Sequence, residues 1–174
     1  MNPRNICGQV SPHPADFNVS TPWGLPGHVP QYYKWFWATV GGCYEQAVRG
    51  ASNALQTLSE KGLPKAVATH SSGNHGAALA KAALERGVKA QIVMPSNAPK
   101  VKQNAVKSYG GIITNCEPNL DARESTLKKI LEKEKAEEVP PYNDFRVIAG
   151  QGTAVIELCQ KIPDLDFVVT PVGG

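Results

Sequence analysis

An open, doubly wound α/β fold with a parallel sheet and helices on both faces is the architecture this sequence predicts, on two observations. From Tyr44 onward, short apolar runs alternate with amphipathic stretches at the pitch of strand–helix units. Glycines or prolines mark most of the junctions between them. The 174 residues can bury one core, and 41% apolar with 19% charged residues is ordinary for a globular chain.

Each element has its own justification. Glu45 to Lys61 reads as a helix because Ala47, Ala51, Ala54, Leu55 and Leu58 share one face. Gly62-Leu63-Pro64 ends it. Lys65 to Thr69 is a short buried strand, and Gly73 opens a helix that runs to about Arg86 and stops at Gly87. Gln91 to Pro95 is the second strand, followed by a helix from about Ala98 to Tyr109 and a stop at Gly110-Gly111. Ile112 to Thr114 is the third strand. Leu120 to about Glu138 reads as one charged helix, its Lys128–Glu138 run a solvated face. Gln151 to Lys161 is the next helix, and Asp166 to Thr170 a last strand running into Pro171-Val172-Gly173-Gly174.

Residues 1–44 have a different texture. They hold six prolines and eight of the twelve aromatics, with the run Tyr32-Tyr33-Lys34-Trp35-Phe36-Trp37 following neither a strand nor a helix period. The expectation is a divergent, poorly ordered segment 1–44 ahead of an α/β region 45–174.

Composition excludes several classes. A net charge of +3 without a basic cluster speaks against a nucleic-acid partner. No stretch approaches the ~20 apolar residues of a membrane span, and no signal-peptide pattern opens the chain. Cys7, Cys43, Cys116 and Cys159 are too scattered for a disulfide or zinc framework, so no metal site is expected and the setting is cytoplasmic.

Open parallel sheets bind ligands at the carboxyl ends of their strands, against helix N-termini. Three segments are expected there. Thr69-His70-Ser71-Ser72-Gly73-Asn74-His75-Gly76 leaves a strand and enters a helix, offering two hydroxyls, an amide and an imidazole beside converging backbone amides. N-capping explains one such residue but not five in a row. Gly150-Gln151-Gly152-Thr153 is read as a second loop at a helix start, its glycines allowing close backbone approach. Pro171-Val172-Gly173-Gly174 begins a phosphate cradle. A free-standing phosphate-binding domain is disfavoured, because that glycine loop ends the chain.

In order and spacing these motifs resemble the serine racemase/threonine (serine) dehydratase family of fold-type II pyridoxal-phosphate enzymes. Residues 49–174 carry the likeness: Arg49-Gly50-Ala51 with Asn53, Ser71 to Gly76, Ile92 to Pro95 with Ala98-Pro99, Tyr109-Gly110-Gly111, Arg123-Glu124, Ile148 to Thr153 and Pro171 to Gly174. The resemblance implies a tryptophan synthase β-like fold, present here in part as a small domain plus some of a large one. It implies pyridoxal phosphate as cofactor and a small amino acid as substrate, with proton removal at Cα of serine or threonine leading to racemisation or dehydration. Ser72 would be the acid/base on one face. Ser71, Asn74, His75 and Arg123 would hold the substrate carboxylate, Asn74 would also reach the cofactor's ring hydroxyl, and Gly173 and Gly174 would start the phosphate loop. The family's Schiff-base lysine stands two residues before Arg-Gly-Ala, where this chain has Ala47. The family's divalent-metal site and the rest of its sheet would lie beyond Gly174. A chain so composed is expected to be inactive alone, and to form a homodimer or pair with a full-length relative as a non-catalytic partner.

Overall fold

The computed structural model describes residues 43–60, 62–165 and 168. The aromatic run 32–37, the last expected strand apart from Val168, and Gly173 and Gly174 therefore lie outside the described residues. Along the chain run α1 (Cys43–Glu60), β1 (Ala66–His70), α2 (Asn74–Glu85), β2 (Lys89–Pro95), α3 (Lys100–Ser108), β3 (Ile112–Cys116), α4 (Leu120–Glu134), β4 (Glu137–Glu138) and α5 (Phe145–Lys161).

The strands form one parallel sheet in the order β3-β2-β1-β4. β1 and β2 are apolar on both sides, as central parallel strands must be. Val67, Ile92 and Met94 pack into the larger core with Leu79 of α2, Val106 of α3 and Leu55 of α1. Ala68 and Val93 point the other way, onto Leu127 of α4. Helices therefore cover both faces, as the alternation predicts. Beyond α2, α1 and α5 pack against each other, antiparallel, with Arg49 opposite Glu157 and Asn53 opposite Arg146.

Two expected boundaries are corrected. The charged helix ends at Glu134, not near Glu138: Lys135 takes the left-handed conformation (φ 50) and Glu137-Glu138 form β4. Two glutamates carry no strand propensity. They pair because Val139, fully buried, donates its N–H to the Ala68 carbonyl at 2.9 Å. The last helix starts at Phe145, well before Gln151. Asp144 caps it by accepting from the Arg146 N–H at 2.8 Å, behind Pro140-Pro141 and a left-handed Asn143.

Candidate functional site

β1 ends at the carboxyl edge of the sheet, and the chain extends one residue further when Ser71 N–H donates to the Val93 carbonyl at 2.9 Å. Ser71 is buried, and its Oγ accepts from the N–H groups of Gly73 at 3.2 Å and Gly76 at 3.1 Å. Those amides open α2, whose first turn has no carbonyls of its own to satisfy it. One hydroxyl thus folds the loop back on itself. With both lone pairs engaged, Ser71 retains its O–H as a donor.

The remaining loop residues divide by exposure. Ser72 stands exposed at the turn, and Asn74 is half-buried as the first residue of α2. His75 is buried, with Nε2 2.9 Å from the Val139 carbonyl. Burial pushes its pKa below the usual imidazole value, so the ring is neutral. A carbonyl can only accept, so Nε2 carries the proton, and Nδ1 is left as a buried acceptor without a partner among the described residues. A neutral ring of this tautomer offers no second N–H to a carboxylate. His70, the last residue of β1, is half-buried. Lys102 of α3 lies against Gly73, its Nζ 2.6 Å from where a Cβ would stand, so a side chain there would collide with it.

Arg123, the remaining expected residue, comes from another element. It lies in the first turn of α4, near Cys116 at the end of β3. That is the same sheet edge but two strands from β1, roughly 10 Å at the usual strand spacing. Its Nε is buried without a hydrogen-bond partner among the described residues. Ser71, Ser72, Asn74 and His75 lie together in this loop, while Arg123 comes from α4 at the same sheet edge.

The second glycine motif is corrected outright. Gly150 and Gly152 sit inside α5, not at its start. A Cβ on Gly150 would lie 2.4 Å from the Arg49 carbonyl and 2.8 Å from the Gly50 Cα, so the two glycines mark a backbone crossing of α1 and α5. Arg49 clamps it with hydrogen bonds to Thr153 at 2.9 Å and to both oxygens of Glu157 at 2.6 and 2.9 Å. Asn53 donates to the Arg146 carbonyl at 2.7 Å. An open cleft of about 300 Å³ beside the crossing is lined by Arg49, Asn53, Arg86 and Thr153. These polar groups are already paired, Arg86 with Gln56 at 3.3 Å, so the cleft reads as the seam of a helix pair. Ala47 belongs to the core on the same α1, 6% exposed.

Sequence reasoning missed Asp144 and Arg146. Their pair at 2.6 Å, with Arg146 also donating to the Glu138 carbonyl at 3.0 Å, ties β4 to the start of α5. The arginine holds the Asp144 carboxyl below its usual pKa. An Asp shortly after two prolines is the capping signal that could have revealed it.

Comparison with known proteins adds independent findings. Residues 46–174 match the family model described as pyridoxal-phosphate dependent enzyme. A serine racemase of Dictyostelium discoideum is 48% identical over 127 residues, 73% of this chain and 39% of that protein. A beta-hydroxyaspartate dehydratase of Paracoccus denitrificans is 50% identical over 127 residues, 73% of this chain and 40% of its own. The solved structure of maize serine racemase superposes with a TM-score of 0.68 at 39% identity, over 76% of this chain and 44% of that one. The chain thus spans about two fifths of the length of the curated relatives it matches.

Proposed function

This chain belongs to the pyridoxal-phosphate dependent enzymes, and from that premise we propose that its serine loop is the substrate-binding part of a serine racemase/dehydratase site. The observation that carries the reading is the capture of the Gly73 and Gly76 amides by Ser71, which leaves the Ser72 hydroxyl exposed at the sheet's carboxyl edge. Relatives named as serine racemases and a hydroxyaspartate dehydratase support the same class of α-amino-acid substrate.

Within this reading the chain's own groups divide the work. The Ser71 O–H and the first-turn amide of His75 donate to the substrate carboxylate, and the His75 ring shapes the loop through Val139. Asn74 orients substrate and cofactor ring together. Ser72 presents the proton-carrying hydroxyl to one face of Cα. Arg123 adds positive charge from the start of α4, and Gly173 and Gly174 begin the phosphate cradle.

The position that the resemblance assigns to the lysine does not fit covalent attachment of the cofactor. Ala47 there offers a methyl group packed in the core, with neither an amine nor a base. The chain alone is therefore read as inactive, a cytoplasmic protein that binds and does not turn over. Pairing with a complete family member is the second reading, favoured by one uncovered face of α5.

The test is direct. The purified chain is incubated with pyridoxal phosphate, its visible spectrum recorded, and the sample reduced with borohydride for mapping by mass spectrometry. The expected result is no new absorption band and no specifically labelled lysine. A saturable band traced to one lysine and shifted by serine would sink the claim of inactivity.

A further inference from the structure

β3 is the outermost strand of the sheet, and among the described residues no strand lies beyond it. Ile113 faces the larger core, so Ile112, Thr114 and Cys116 face the side of α4. That helix packs mainly over β1 and β2, which leaves Ile112 48% exposed. Charges and prolines are what usually keep an outer strand from pairing with a neighbour. Ile112-Ile113-Thr114-Asn115-Cys116 has neither.

The direction of its hydrogen bonds is the second observation. In a parallel pair, a residue turns its N–H and C=O to the same side, and the next residue turns them to the other. The Ser96 N–H donates to the Cys116 carbonyl at 2.9 Å, so Cys116, and with it Thr114 and Ile112, bonds inward to β2. Ile113 and Asn115 therefore turn theirs outward, where no described residue meets them. The open stretch is bounded on both sides. The Gly111 N–H is spent on the Val106 carbonyl at 3.0 Å, and the Glu117 carbonyl accepts from Asn119 at 2.8 Å.

We propose that β3 pairs antiparallel with β3 of a second copy of this chain, about a two-fold axis at Thr114. In that register Ile113 of one copy and Asn115 of the other exchange both bonds, and the symmetry repeats the exchange. Every outward group of the open stretch is then paired. Thr114 meets its own counterpart, and the exposed Ile112 lies opposite Cys116. The occupant follows from this self-complementarity, and a two-fold pair closes at two copies. Charge agrees: antiparallel pairing brings Lys107, which precedes the strand, to the same end as Glu117, which follows it. The inference goes beyond the substrate-loop reading and uses none of its residues, so either can fail without the other.

The full 174-residue chain is followed by light scattering over a concentration series. A monomer–dimer equilibrium is expected, with amide exchange at Ile113 and Asn115 slowing as the dimer fills. Asn115→Pro removes an outward N–H that the chain's own ladder does not use. It should weaken the dimer more than about tenfold, because the two-fold counts the lost bond twice. Thr114→Cys serves as the second variant, independent of any effect of proline on folding. Residues facing across a non-hydrogen-bonded pair stand about 4.5 Å apart at Cα, within disulfide reach. Mild oxidation should therefore join the two introduced thiols, as peptide mapping by mass spectrometry would show. Three results would overturn the proposal: a monomer at every concentration, open-ended oligomers, or a dimer whose introduced thiols do not join.

Discussion

Gly73-Asn74-His75-Gly76 and Gly150-Gln151-Gly152-Thr153 are written in nearly the same alphabet, yet they do different work. The first follows a strand. β1 delivers the chain to the sheet edge, Ser71 gathers two amides, and Ser72 is left exposed. The second lies within a helix already under way from Phe145. There Gly150 lets two backbones touch, and its hydrogen-bonding neighbour Thr153 turns to Arg49 and the Gly150 carbonyl. A glycine pair beside polar residues becomes a sheet-edge loop when a strand precedes it and a packing device when a helix does.

The largest break in that contrast should come from Gly150→Val. The new Cβ would stand 2.4 Å from the Arg49 carbonyl and 2.7 Å from the Asn53 Cβ, atoms that cannot swing away. A loss of about 3 kcal/mol, the upper range for overpacking, is expected in urea unfolding. An unchanged midpoint would mean that α1 and α5 do not cross there.

Next comes the pH response of the serine loop. Burial lowers the His75 pKa in the folded chain below its unfolded value near 6.5. The folded state therefore binds fewer protons, so stability is full above that value and falls as pH drops below it. The slope can reach about 1.4 kcal/mol per pH unit for one proton. Comparing unfolding of His75→Gln with the parent between pH 7 and 5 isolates it, and equal slopes would show that the ring is not buried neutral.

The smallest effect has the opposite sign. Gly152→Ala meets open space, so it should stabilise the isolated chain by up to about 1 kcal/mol. Destabilisation would mean that the outer face of α5 is already occupied.

The sequence was legible wherever period and punctuation act locally. The apolar runs at Val67, Ile92 and Ile113, each stopped by glycine or proline nearby, gave the sheet and the helices between. The serine loop was legible as a cluster because its members are adjacent in the chain. What could not be read is what distant residues decide. Glu137-Glu138 is a strand only because Val139 reaches Ala68, and the His75 ring is committed to a carbonyl 64 positions on. Gly150 looks like a helix breaker until α1 is laid across it. Arg123 belongs to a separate element, α4, which only the sheet order brings to the same edge as the loop.

The clasp between α1 and α5 also sets an order of events. Arg49 reaches Thr153 and Glu157 across 104 and 108 positions of chain. Closing a segment that long costs roughly 4 kcal/mol of chain entropy before a single clasp contact returns it. The contacts between β1, β2 and β3 join residues 21 to 23 positions apart and carry a closure cost about 1.3 kcal/mol smaller. The sheet and its helices are therefore expected to assemble before the clasp closes.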